Sequence, residues 1–494
     1  MKNRVQLIAY VDRVGGTFAG LRELLAGPLS GLFGGVHLLP FFERIDGADA
    51  GFDPIDHTRV DARLGDWHDV MALAREIDLM ADVIVNHISS RSQQFLDFAE
   101  RGAHSRFAGL FLTLDGVFPQ GAAERDLLAI YRPRPGLPFT ALTLADGTRR
   151  LFWTTFTSEQ IDIDVTHPCG REYLEDILQT FGAHGIKMIR LDAIGYAIKK
   201  AGQSCFMLPE TLEFIGALAA RARRHGLEVL VEVHSHYEQQ IEIARHVDWV
   251  YDFALPPLVL HAFFRGTARA LKRWIALRPR NALTVLDTHD GIGVIDIAAE
   301  RGENRRPGLL AEEELDRLVA DIHANSRGES ARATGAAASN LDLYQVNCTF
   351  YDALGADDGK YLLARAIQFF VPGIPQVYYV GLLAGRNDMA LLARTGVGRD
   401  INRHSYTRAE IDEALARPCV QRLIDLIRLR NEHAAFGGTF EIGESPDDTL
   451  ELTWRLGEEI ARLTVNLESC EHCLEYSSAG RVERLDLGCA ASAA

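Results

Sequence analysis

The chain has 494 residues, of which 47% are hydrophobic and 24% charged, an ordinary globular mixture long enough to bury a substantial core. Acids outnumber bases 68 to 52, a formal charge of -16, which disfavours nonspecific attraction to nucleic acid or an anionic membrane but leaves room for a local basic pocket. Seven cysteines without regular spacing argue against a disulfide framework, and the Cys470-Glu471-His472-Cys473 pair lacks two further convincing ligands, so reduced thiols and no metal are expected.

In chain order, Val5 to Tyr10 reads as a first strand rather than a cleavable leader, which favours a soluble cytoplasmic protein. Further strand candidates fall at 35–40, 82–87, 186–193, 228–234, 249–255, 283–290 and 375–380. Helix-like periodicity lies between several of them, at Asp69 to Ile77, Tyr173 to Phe181, Leu212 to Arg224 and Tyr361 to Phe370. The apolar stretch Val377 to Ala384 is too short to span a bilayer. Eight strands with intervening helices argue for an α/β TIM (β/α)8 barrel rather than an open sheet. The interval 88–167, with its Pro/Gly/Arg-rich segment Tyr131 to Pro138, is too long for a simple connection, and so is the charged interval 291–356. We expect barrel pieces at 1–87, 168–290 and 357–435, inserted excursions at 88–167 and 291–356 that wall a cleft, and a C-terminal β domain at 436–494.

Three apolar runs end in acid: Met188 to Asp192, Val229 to Glu232 and Val285 to Asp290. Carboxylates at the carboxyl ends of buried parallel strands suit a barrel mouth, and two of them around one sugar carbon suit glycosyl chemistry. Arg190 and Asp192, two apart, share a strand face, so the guanidinium can orient the carboxylate and keep it ionised against the effect of burial. An apolar setting and the neighbouring Asp192 would keep Glu232 protonated. Asp192 would then attack the anomeric carbon while Glu232 protonates the leaving oxygen, and a separation of about 5 to 5.5 Å would give net retention. Asp290 is suited to bind two sugar hydroxyls and to oppose positive charge developing at the ring. His87 and His289 can add donors. Taken singly, His87, His234 and His289 read as satisfied structural histidines more often than as ligands, although strand-end placement makes ligand contact competitive, and their spacing does not establish a metal. Phe52 and Tyr196 offer aromatic faces, either to the core or to a sugar.

Taken together, Asp49 to His57, Val83 to His87, Ile189 to Tyr196, Val231 to His234 and Asp287 to Asp290 resemble the signatures of the alpha-amylase superfamily and, within it, the sucrose phosphorylase group. The resemblance implies Asp192 as nucleophile, Glu232 as general acid/base and Asp290 as transition-state stabiliser. It implies Asp49, His87, Arg190, His289 and Arg399 around a small, closed glucosyl subsite, with Asp49 and Arg399 as a charged pair and Phe52, Tyr196 and His234 as further substrate contacts. Leu341 to Gln345 resembles an acceptor-site loop: Asp342 and Gln345 would hold fructose hydroxyls beside Leu343, and Tyr344 would form a wall or donate to phosphate. Arg134 is the implied counter-ion for phosphate, exchanging places with Asp342. The implied reaction converts sucrose and phosphate into alpha-D-glucose 1-phosphate and fructose, reversibly and with retention, needing neither a cofactor nor a metal. Alternatives are phosphorylases of sucrose 6F-phosphate, glucosylglycerol or glucosylglycerate, a sucrose hydrolase or glucosyltransferase, and a noncatalytic carbohydrate-binding protein. A homodimer is implied by the resemblance alone.

Overall fold

The computed structural model describes residues 1–47, 49–133, 136–300, 306–337 and 345–488. Eight parallel strands close into a barrel: β1 (Gln6–Ala9), β2 (Gly35–Leu38), β3 (Asp78–Ile84), β4 (Met188–Asp192), β5 (Glu228–Val231), β6 (Trp249–Asp252), β7 (Ala282–Thr284) and β8 (Ile374–Tyr378). Closure comes from β1, which pairs with β8 at Gln6 and Gln376 and with β2 at Gln6 and Gly35. Each strand candidate read from the sequence overlaps one of these eight, with two shifts at the ends. The third begins at Asp78 rather than 82, and His87–Ser89 leaves the barrel to pair antiparallel with Gln160–Asp162. The seventh stops at Thr284 rather than 290, so that Val285 to Asp290 runs irregularly over the barrel mouth.

Inward-facing positions of the barrel carry a polar layer inside an apolar shell. Arg190 on β4 donates to Asp82 on β3 at 2.7 Å, and His37 on β2 meets the other Asp82 oxygen at 3.1 Å. Tyr251 on β6 donates to Gln376 on β8 at 3.1 Å, which in turn donates to Gln6 on β1 at 3.0 Å. These bonds between neighbours are what permit polar groups at such depth.

The helices begin earlier than their apolar periodicity because their first turns hold polar residues or proline. Asp66 caps Trp67–Ala74 through a reciprocal box with Asp69, and Asp357 accepts from the backbone N–H of Lys360 at the start of Asp358–Phe370. Pro168–Ala183 and Pro209–Arg224 open on a proline, which costs nothing at a first helical turn. Their buried sides, for example Leu174, Ile177, Leu178 and Phe181, pack on the barrel.

After the barrel, five antiparallel strands between Thr439 and Arg484 form a sheet in sequential order, as expected for the C-terminal part of the chain. Trp454 from this sheet donates its indole N–H to the Phe370 carbonyl at 2.6 Å, close to the amino end of β8. The sheet therefore buttresses the floor of the barrel, opposite the strand ends that carry the acids. Within the second excursion, helices Glu312–Asn325 and Glu329–Ala337 precede a two-residue ribbon that pairs Gln345–Val346 with Ile292–Gly293. Among the described residues no helix is long and apolar enough to cross a membrane.

Candidate active site

At the carboxyl ends of the strands lies a compact cavity of about 80 Å³. Its lining includes Asp49, Phe52, His87, Asp192, Tyr196, Glu232, His234, His289, Asp290, Gln345 and Arg399, residues more than three hundred positions apart that the sequence singled out. Pro133, Phe156 and Ala193, which sequence reasoning did not single out, complete the lining. Arg190 is not part of the wall: it lies fully buried behind the acids. Arg134, Asp342, Leu343 and Tyr344 lie outside the described residues.

Local backbone aims these groups. Asp192 is the last residue of β4, and Ala193 follows in the left-handed region at φ 55°, which turns the chain sharply into Ile194–Tyr196 and brings Tyr196 to the pocket. There Tyr196 joins an aromatic wall with Phe156 and Phe206, ring centroids 5.1 and 4.7 Å away. Phe52 stacks on His289 at 4.6 Å with planes 8° apart, and the Arg190 guanidinium lies 5.3 Å from the same Phe52 ring. Gln345 reaches the pocket through its ribbon with Ile292–Gly293.

One guanidinium organises the two acids. Arg190 Nη1 lies 3.0 Å from Asp192 and Nη2 lies 3.9 Å from Glu232, while Asp82 anchors Nη1 from behind. Asp290 is held by Arg399 at 2.9 Å, with Arg403 at 3.8 Å and His289 at 3.4 Å. Arg399 also approaches Asp49 at 3.5 Å, so the Asp49 and Arg399 pair exists and extends to Asp290. Gln160 donates to Asp49 at 2.9 Å and to the Phe52 carbonyl at 3.0 Å, and His87 meets the same carbonyl at 2.9 Å.

Burial and charge set the protonation of the site. Burial pushes the Asp192 carboxyl well above the usual range; Arg190 opposes the shift and Glu232 reinforces it. This departs from the expectation that Arg190 would suffice to keep Asp192 ionised, because the same arginine is already committed to the fully buried Asp82. Burial would also raise Asp290, but Arg399, His289, Arg403 and Arg190 outweigh it and hold that carboxyl below the usual range. Burial lowers His289 to about 3 against the pull of Asp290, leaving the ring neutral. Burial lowers His87 as well. For His234 burial is outweighed by Asp296, Glu232 and Asp290, and its basicity rises. Glu232, His234 and Asp290 bring potential ligand atoms within 4.8 Å of one another, a span that could hold a cation; here Arg399 and Arg190 already supply positive charge to the two carboxylates.

Sequence reasoning missed Asp82, Gln160, Asp296 and Arg403. Asp82 carried a signal, a lone charge inside the apolar run Leu79 to Val85, two residues from strand neighbours that face the interior. Gln160 arrives from the first excursion and carried none. A buried acid against a guanidinium, a second acid at the same guanidinium and a third held by two more arginines can together bind a sugar ring, bond to its anomeric carbon and move a proton at the departing oxygen.

Comparison with known proteins bears on the same site. The alpha-amylase catalytic domain matches residues 29–248. A sucrose phosphorylase from Agrobacterium vitis is 59% identical over 98% of this chain and 100% of its own length. The chain belongs to the sucrose phosphorylase family of the alpha-amylase superfamily. A sucrose phosphorylase from Bifidobacterium adolescentis is 55% identical, covering 94% of this chain and 92% of its own. The crystal structure of sucrose 6F-phosphate phosphorylase from Thermoanaerobacter thermosaccharolyticum superposes with a TM-score of 0.90 at 38% identity, over 98% of both chains. Membership at this level makes the chain a glycosyl-transferring enzyme of the retaining phosphorylase type.

Proposed function

We propose that this family member catalyses the reversible phosphorolysis of sucrose to alpha-D-glucose 1-phosphate and D-fructose by double displacement. The observation that carries the reading is the shared guanidinium: Arg190 lies 3.0 Å from Asp192 and 3.9 Å from Glu232 at the base of one compact recess. Its contact to Asp192 is the shorter, 3.0 against 3.9 Å, so when a glycosidic oxygen takes the Glu232 proton's direction the single negative charge of the pair is best held on Asp192. Asp192 then bonds to the anomeric carbon, the carbon–oxygen bond to fructose breaks, and Glu232 delivers its proton to the leaving oxygen. Asp290, kept anionic by Arg399 and Arg403, holds sugar hydroxyls and opposes charge at the ring. Asp49, His87, His289 and Arg399 bind the distal hydroxyls, with Phe52 and Tyr196 as ring contacts.

Phosphate takes the place of fructose, attacks the glucosyl-enzyme from the same face, and restores the configuration at carbon. In this reading Arg134 and Tyr344 hold the phosphate, and Asp342, Leu343, Gln345 and His234 the fructose. The reading places the enzyme in the cytoplasm, where its six described cysteines, all unlinked, would stay reduced. It allows for a homodimer.

A second reading, phosphorolysis of sucrose 6F-phosphate, is favoured by the fold's likeness to an enzyme of that name. One substrate panel separates the two. Sucrose and sucrose 6F-phosphate are each incubated with and without phosphate, and all products are identified. Glucose 1-phosphate formed from sucrose only when phosphate is present is the expected result; equal release of free glucose in both reactions overturns it, and preference for the phosphorylated substrate selects the second reading.

A further inference from the structure

Behind the acid Glu232 lies a buried histidine–aspartate pair of which the reaction as derived uses only His234, as a fructose contact. His234 Nδ1 bonds to Asp296 at 2.8 Å, and Nε2 points toward the pocket, 3.6 Å from Glu232 and 3.2 Å from the Gln345 side-chain amide. Asp296 has no exposed surface, and its second oxygen accepts from Gln240 at 2.8 Å and from the Ser235 backbone N–H at 3.2 Å. Gly293 leaves room for the pair: a Cβ there would come 2.5 Å from Asp296 Oδ2 and 3.0 Å from His234 Nδ1. The ring lies flat on Phe253, centroids 3.9 Å apart, which fixes its plane.

We propose that Asp296 is a positioning residue that holds His234 as an imidazolium beside Glu232, and that the resulting pocket-facing N–H makes the acceptor side receptive to a phosphate anion once a neutral sugar has left. The inference rests on the phosphorolysis reading. With Nδ1–H committed to Asp296, a neutral ring can only present a lone pair at Nε2, which repels phosphate oxygen; the imidazolium presents a donor. Gln345 suits either state, because turning its amide exchanges oxygen for nitrogen at the same place.

Three acids of the described elements act on this ring: Asp296 from the turn Ile295–Ile297, Glu232 from its own strand end and Asp290 from the segment after β7, while Phe253 and Gln345 beside it are neutral. Together they outweigh the burial of the ring and raise its basicity. The nearby arginines of the described structure are committed to carboxylates: Arg190 to Asp82 and Asp192, Arg399 to Asp49 and Asp290, Arg403 to Asp290 and Asp400. Phosphate entering among three acids meets like charge, and a donor at His234 Nε2 opposes that repulsion.

The test compares the full-length enzyme with Asp296→Asn, which keeps an acceptor for Nδ1 but removes the charge that favours the imidazolium. The KM for phosphate should rise about tenfold while the KM for sucrose changes less than about threefold, and the alkaline limb of the phosphate-dependent rate should move to lower pH. Nitrogen-15 spectra of ring-labelled enzyme, with His234→Gln identifying the signal, should show both ring nitrogens of His234 protonated near pH 6.5 in the unmodified protein. An unprotonated Nε2 there overturns the proposal, as does an equal change in both KM values. The spectra read the unmodified enzyme, so they decide even where Asp296→Asn fails to fold. If the unmodified enzyme makes no glucose 1-phosphate, the phosphorolysis reading falls, while the spectra still report whether Asp296 holds the charge.

Discussion

Asp53 shows how much a single buried carboxyl can cost when one of its oxygens goes unmet. It is 3% exposed, its Oδ1 has no hydrogen-bond partner, and burial together with the charge of Asp49 pushes its pKa up to about 7. The folded protein therefore keeps this proton between about pH 4 and 7, where the unfolded chain has released it, so fewer protons are bound on unfolding and stability falls as pH rises across that window. Asp53→Asn should remove the slope and stabilise the protein at pH 8 by about 2–4 kcal/mol while leaving it unchanged at pH 4, measured by denaturant unfolding at both values. At this scale the sequence was most informative where a polar residue ended an apolar strand, as at Asp192 and Glu232. It was least informative where the partner came from a distant segment: nothing near Asp49 announces Gln160, and nothing near His234 announces Asp296.

Helix Asp358–Phe370 shows how an element reaches the site without entering it. Arg365, fully buried, donates to Asp287 at 2.6 Å, to the Tyr361 hydroxyl at 2.8 and 3.0 Å and to Gln368 at 2.9 Å. Gln368 in turn donates to the carbonyls of Thr284 and Gln376 at 2.8 Å each. A Cβ at Gly381 would collide with both the Asp287 carboxylate and the Arg365 guanidinium, so glycine is what lets that strand-end segment pass. This network pins the irregular run from Val285 that carries Asp290. Arg365→Met would strand a buried carboxylate and should cost about 3–5 kcal/mol in thermal or denaturant unfolding, with turnover falling in the fraction that stays folded as Asp290 loses its seat. The period of the apolar residues disclosed Tyr361 to Phe370 as a helix; that its one arginine faces inward follows from Asp287, which no local pattern reveals.

The molecule as a whole divides its labour between the two ends of the barrel. Chemistry gathers at the carboxyl ends of the strands, while the C-terminal sheet seals the opposite floor through Trp454, packed against Phe436 and Phe440 and bonded to the Phe370 carbonyl, and the helix Pro418–Glu432 before it adds Arg430, which donates to Asn3 at 2.7 Å and to Gly373 at 3.1 Å. Trp454→Ala should cost about 3–5 kcal/mol in thermal unfolding followed by circular dichroism, yet leave KM for sucrose at 20 °C within a factor of about two, because the cavity it opens lies away from the site. Strand identity, the barrel and the three acids were determined by the sequence alone, since burial on both strand faces and the two-residue repeat leave a local imprint in the order of apolar residues. What only the tertiary structure decided is which further charges join the expected pairs: Asp82 and Glu232 at Arg190, Asp290 at Arg399, and Asp296 behind His234. Electrostatic energy depends on distance through space, and positions a hundred residues apart acquire a distance only when the barrel closes.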